Sequence, residues 1–124
     1  MERLTFTIKA LVPSKKNNLR PKQTGGFYYD KDMKLEIDYL SYEIKNGARK
    51  AGFTKTFTGD VETDVTIYTT RDQDTDNMYT TVQDALQSAK IIKNDKQVSK
   101  FTCERIMVQN YKDSMVTIKV ANRM

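Results

Sequence analysis

The sequence predicts an α+β domain, a single mixed β-sheet with two main helices packed on it, in the order β-α-β-α-β-β. Two observations carry this reading. Apolar residues alternate with polar ones at a period of two near residues 4–10 and 61–68, and two further strand-like runs lie near 98–108 and 115–120. Between the first three of these strands, apolar residues recur at helical spacing instead. A chain of 124 residues supports one domain, 1–124, with a modest core.

Each element has its own signal. Leu4, Phe6, Ile8 and Ala10 alternate with polar neighbours and read as a half-buried strand. Residues 13–26 hold both prolines, two glycines, Lys15, Lys16, Arg20 and Lys22, and read as a basic loop closed by Phe27, Tyr28 and Tyr29. Asp30 is a candidate N-cap for a helix over 31–51, whose apolar stripe is Met33, Ile37, Leu40, Ile44, Ala48 and Ala51, and Gly52 is its stop. Val61, Thr63, Val65 and Ile67 alternate with Glu62, Asp64, Thr66 and Tyr68 as a second strand. Asp76 is a candidate cap for the next helix, with Met78, Val82, Ala85, Leu86 and Ala89 on its apolar side. After a polar turn at 93–96, residues 98–108 and 115–120 read as two strands joined in a hairpin near 109–113.

Composition excludes several chemistries. Histidine is absent, which rules out a Ser-His-Asp triad, a Cys-His pair and a His-liganded zinc site. The single cysteine, Cys103, cannot form an internal disulfide, fits a reducing cytoplasm and reads as a small buried strand residue. No apolar run reaches the ~20 residues of a membrane span, and no signal-peptide pattern opens the chain, so a cytoplasmic location is expected. The net charge is +5, and all of the excess lies in residues 1–60, which hold 12 basic and 7 acidic residues. Residues 61–124 hold 9 of each. That distribution suits a protein that holds an anionic polymer with one half and acts on it with the other, although a solvated lysine-rich surface would look the same.

The balanced half contains an acidic focus, Asp72, Asp74 and Asp76, between a strand and a helix. On an extended segment, carboxylates at i and i+2 point to the same side and repel each other unless a cation holds them. Oxygen-only ligation suits a hard divalent ion such as Mg²⁺ or Mn²⁺, which would activate water and neutralise charge on a phosphodiester. A charged turn with a helix cap would use the same residues. Asp95 lies 19 residues beyond Asp76, past a helix roughly 20 Å long at ~1.5 Å per residue. Either residues 90–94 run back towards Asp74 and Asp76, or two antiparallel copies of the helix bring Asp95 of one chain to the aspartates of the other. In the basic half, Lys15, Lys16, Asn17, Asn18 and Arg20 can grip phosphates, with Phe27, Tyr28 or Tyr29 stacking on bases.

Four blocks in order resemble the RusA family of Holliday-junction resolvases, crossover-junction endodeoxyribonucleases often carried by phages and prophages. Val12-Pro13-Ser14-Lys15-Lys16-Asn17 is similar to the family's P-S-x-x-N opening, and Asp74-Thr75-Asp76-Asn77 to its D-x-D-N. Asp84-Ala85-Leu86 is similar to its D-A-L segment, and Asn94-Asp95-Lys96-Gln97-Val98 to its D-D-x-Q-V. The resemblance covers most of the chain. It implies metal-binding catalytic carboxylates at Asp74, Asp76 and Asp95, Mg²⁺ dependence, and a homodimer that nicks a four-way DNA junction symmetrically in recombination and repair. Two positions depart from the family pattern. Thr80 stands where the family usually has a functional lysine, and Asn94 replaces the first aspartate of D-D-x-Q-V. Lys90, Lys93 and Lys96, near Asp95, are candidates to supply the missing charge. The competing reading is a non-catalytic DNA-binding protein that keeps the fold.

Overall fold

The computed structural model describes residues 2–13, 19–21, 27–29 and 31–123, with side chains for 2–13 and 34–123. Six strands and two helices follow in the order β1 (Arg3–Ile8), β2 (Leu19–Pro21), β3 (Phe27–Tyr29), α1 (Lys31–Lys50), β4 (Val61–Thr69), α2 (Thr75–Ser88), β5 (Val98–Met107) and β6 (Met115–Asn122). The expected alternation of strands and helices is present, within one mixed four-stranded sheet of order β1-β6-β4-β5. The segment expected to be a loop contains a small antiparallel ribbon, β2 against β3. The candidate cap Asp30 lies outside the described residues.

The expected hairpin between β5 and β6 does not form. β4 lies between them, parallel to β5 and antiparallel to β6. Because α2 connects β4 to β5, the chain crosses over and returns in the same direction, which yields a parallel pair. β6 then takes the other edge of β4, with Tyr68 opposite Met115, and β1 adds outside β6. The 108–114 connection therefore passes over the end of β4, where the Val108 amide donates to the Thr69 carbonyl at 2.9 Å.

One face of this sheet carries the core. Leu4, Phe6 and Ile8 of β1, Val61, Val65 and Ile67 of β4, and Val116, Ile118 and Val120 of β6 are all buried on it. Leu40, Ile44 and Ala48 of α1 and Met78, Val82, Ala85 and Leu86 of α2 close over them. Gly47 lies where α1 crosses β1, and a Cβ there would sit 2.6 Å from Phe6 Cδ2 and 2.8 Å from Ile8 Cγ2. Both helices end in the same six-residue capping pattern. Phe53 donates to Ala48 and Ile91 donates to Leu86 across the two ends. Gly52 supplies the left-handed residue for α1 at φ 87°, as its place in the sequence predicts. Lys90 does so for α2 at φ 62°, a conformation that favours glycine.

The close approach at Gly47 sets a stability test. Alanine is the better helix former by ~1 kcal/mol, but overpacking a core costs ~1–3 kcal/mol. Both neighbours at Gly47 are buried and leave little room to yield. Gly47→Ala should therefore lower the unfolding free energy in urea titration, by up to about 2 kcal/mol once the helix gain is subtracted. A midpoint at or above that of the unaltered chain would mean that Phe6 and Ile8 repack freely.

Candidate active site

The acidic segment begins where β4 ends. Thr69 is buried, and its hydroxyl accepts from the Arg71 amide at 3.0 Å, turning the chain off the sheet. Asp74 is the N-cap of α2, in an extended conformation and with no side-chain cap hydrogen bond. Asp76, expected as the cap, instead occupies the first helical turn, so the two carboxylates do not share one extended segment. Both lie at the helix N-terminus, whose unpaired amides and positive dipole end favour negative charge. Both aspartates are exposed. The Asn77 side chain donates to Asp74 Oδ2 at 3.5 Å, which leaves Asp74 able to accept further bonds.

Two arginines hold this segment in place. Arg71 makes a two-point ion pair with Glu36 of α1, at 3.0 and 2.8 Å. Arg105 of β5 donates to Asp72 Oδ1 at 3.2 Å and to the Gln73 carbonyl. Neither arginine stands out in the sequence. Only the fold shows that Arg105 lies opposite the buried Ile67 on the helix-facing row, where an apolar residue is ordinary. Among the described residues Arg105 is the cation paired with the acidic segment, while Arg71 ties the segment's start to α1. Thr80, in place of a lysine, donates to the Asp76 carbonyl at 3.0 Å.

Asp95 lies at the opposite end of the sheet. Its strand β5 starts beside Val61 and finishes beside Thr69, so Asp95 precedes the start of the pair and Asp74 follows its finish. Nine residues of β4 at ~3.3 Å each separate the two by roughly 25–30 Å. Residues 90–94 do not run back along the helix, because Lys90 turns the chain and Ile92 bridges in parallel to Phe57. Among the described residues of one chain, no group of three or more acidic, cysteine or histidine side chains is placed to hold a metal ion. The Asp95 turn is nevertheless built firmly. Gln97 accepts from the amides of Lys93 and Asn94 at 2.7 and 3.0 Å, and it donates to the carbonyls of Phe57 and Gly59, each at 2.9 Å. Asn94 caps the turn from its other side by accepting from Lys96 at 2.8 Å. Asparagine here performs the capping that an aspartate would. The Asp95 amide donates to Gln87 Oε1 of α2 at 3.2 Å, leaving the residue itself exposed.

Lys90, Lys93 and Lys96 are exposed around Asp95, far from Asp74 and Asp76. Lys15, Lys16, Asn17 and Asn18 lie outside the described residues, and Arg20 and Phe27–Tyr29 are described in backbone only. Asp84 is half-buried on α2. Cys103 is half-buried on β5 rather than fully enclosed, and its thiol is pushed up to about 11 by burial and by the Asp64 carboxylate. That keeps it protonated and unreactive at neutral pH. Tyr79 of α2 stacks on Phe101 of β5 with ring centroids 4.2 Å apart and shares a 2.5 Å hydrogen bond with Thr63 of β4, fixing the helix over the strand that feeds the site.

If Arg105 is what holds the acidic loop, Arg105→Ala should speed amide exchange in residues 72–76 while β4 and β6 stay protected. Its exposed pair with Asp72 contributes little alone, and its hydrogen bond to the Gln73 carbonyl contributes about 1–3 kcal/mol. Unchanged exchange at 72–76 in hydrogen–deuterium measurements would remove that role.

No curated protein matches the chain. The family model for the endodeoxyribonuclease RusA matches residues 10–121. That span takes in β1's exit, the acidic segment, the Asp95 turn and most of β6, so every part of the site described above falls within it. The chain belongs to the RusA endodeoxyribonuclease family.

Proposed function

We propose that the chain is a divalent-metal-dependent endonuclease that resolves four-way DNA junctions as a homodimer, by paired nicks. The observation that carries this reading is the placement of the three aspartates. Asp74 and Asp76 lie at the start of α2, and Asp95 is tied to its end through Gln87. The exposed residues Asp76, Thr80 and Gln87 run between the two ends at helical spacing and present a polar strip of short and medium side chains. A second copy laid antiparallel along that strip would carry its own Asp95 to Asp74 and Asp76. Twofold symmetry would then generate two equivalent sites, which paired nicking of a junction requires.

The donor set suits a hard divalent ion. Asp74, Asp76 and the partner copy's equivalent of Asp95 offer only carboxylate oxygens, which suit Mg²⁺ and also Mn²⁺. Bound there, such an ion would activate water and neutralise charge on the phosphodiester. The chain's own groups do the rest. Arg71 and Arg105 keep the loop that carries Asp74 in one conformation, and the N-terminus of α2 offers amides to a phosphate. Lys93 and Lys96 would arrive with Asp95 and supply positive charge where Thr80 supplies none. Lys15, Lys16, Asn17 and Arg20 would contact phosphates of the arms.

A second reading, a DNA-binding protein without cleavage, is favoured by one observation. The Thr80 hydroxyl is spent on its own helix backbone and offers no charge to a substrate. Incubating the protein with a synthetic four-way junction, with and without Mg²⁺, separates the two. The unaltered chain should cut only with the metal. Asp74→Asn should bind the junction in Ca²⁺ or EDTA as well as the unaltered chain does, yet lose cleavage by about 100-fold or more, the scale of losing a group that stabilises the transition state. Normal cutting by that variant would sink the site assignment.

Mixing variants tests the shared site. Asp74→Asn and Asp95→Asn should each be inactive alone. If Asp95 serves the partner's site, a mixed dimer retains one intact site and regains single-strand nicking. If Asp95 serves its own chain, each site carries one substitution and the mixture stays inactive.

A further inference from the structure

We propose that the groove between α1 and the 111–114 connection is a second DNA subsite, which takes one unstacked base of the strand near the cut. The inference rests on the nuclease reading above and extends it to a surface outside the acidic site. The groove has a volume of about 690 Å³ and is mostly apolar, within the ~300–1,000 Å³ range of small-ligand sites. Tyr39 and Tyr111 line it, and both are conspicuously solvent-exposed, at 49% and 66%. Flat aromatic faces stack on any base, which makes them sequence-tolerant grips for single-stranded DNA. Lys9 and Lys112 also line the groove and offer charge for the flanking phosphates.

A second, independent feature points to a ligand. Ser114 lines the same groove and is 5% exposed, yet its Oγ has no hydrogen-bond partner among the described residues. A buried hydroxyl left unpaired is costly, and a turn of the Ser114 side chain about its Cα–Cβ bond would present it to a base edge or sugar oxygen in the groove.

The position suits the same substrate. Met115, directly after Ser114, pairs with Tyr68 at the end of β4, the end from which the acidic segment emerges. Glu36 forms part of the groove wall and also holds Arg71, two residues before the first segment aspartate's neighbour Gln73. A strand crossing the groove therefore contacts the residue that anchors the acidic loop. Two lysines at an apolar, aromatic groove favour an anionic nucleotide over an apolar peptide.

The chain contains no tryptophan, so Tyr111→Trp gives a single fluorescent reporter in the groove. The probes are the oligonucleotide dT8, a four-way junction and a closed duplex, all in EDTA, with DNA binding followed in parallel by anisotropy of labelled DNA. Saturable quenching by dT8 and by the junction is expected, with little from the duplex, whose bases are not free to stack. Adding Tyr39→Ala to the reporter, and separately to the unaltered chain, should weaken dT8 binding by at least about fivefold, the lower end of one base–aromatic stack. Absence of quenching by dT8, or equal quenching by the duplex, overturns the subsite, and the nuclease reading survives if the junction is still bound in EDTA and is cut in a parallel reaction with Mg²⁺. Quenching by dT8 with a junction that is neither bound nor cut keeps the subsite and overturns the nuclease reading.

Discussion

β4 is hydrogen-bonded along both edges, parallel to β5 and antiparallel to β6, and the rest of the molecule depends on this pairing. It forces α2 to lie over the sheet as a crossover. It also divides the candidate site residues, since whatever follows β4 emerges at one end and whatever precedes β5 emerges at the other. The separation of Asp74 and Asp76 from Asp95 is thus a consequence of topology and not of a flexible turn. The interior reinforces it. Val61, Val65 and Ile67 are fully buried under α1 and α2, so β4 cannot slip by one residue without exposing its entire apolar row.

Electrostatics then determines how an acidic segment survives at one end of that strand. Several carboxylates within five residues repel one another, and the chain counters this in two ways. The start of α2 places Asp74 and Asp76 where the helix dipole favours negative charge. Arg105 reaches across from β5 to Asp72 and the Gln73 carbonyl, while Arg71 is drawn the other way to Glu36. Asp72 is occupied by its arginine, and Asp74 and Asp76 stay exposed. Three similar aspartates thereby acquire different surroundings, one paired with an arginine and two left exposed.

The Asp95 turn follows a different logic. Here the polar residues are consumed by the backbone, with Gln97 making four hydrogen bonds that tie the turn to residues 57–59 and to itself. Asp95 joins that base through its backbone, its amide donating to Gln87 Oε1 and its carbonyl accepting from Val98, and the residue stays exposed. A carboxylate so presented, on a scaffold built by its neighbours, suits a residue that must meet a partner surface in one orientation. Lys90, in a left-handed conformation that favours glycine, marks the point where the chain leaves α2 to build that base.

Much of this was legible in the sequence, because it depends on neighbours along the chain. Periodicity placed both helices, β1 and β4, the glycine stop at Gly52 and the buried stripe of α2, and the blocks around Asp74, Asp84 and Asp95 identified the family. Gln97 was visible as a motif residue, although its structural task was not. The tertiary structure alone decided what depends on residues far apart in sequence. It separated β5 from β6, where local reading expected a hairpin, because β4 competes for both edges and a turn carries no record of that competitor. It moved the cap of α2 from Asp76 to Asp74 and brought Arg105 and Glu36 to the acidic loop from 33 and 35 residues away. It also parted Asp95 from the other aspartates. Periodicity reports which face of an element is buried, whereas strand partners and ion pairs are set by how those faces pack together.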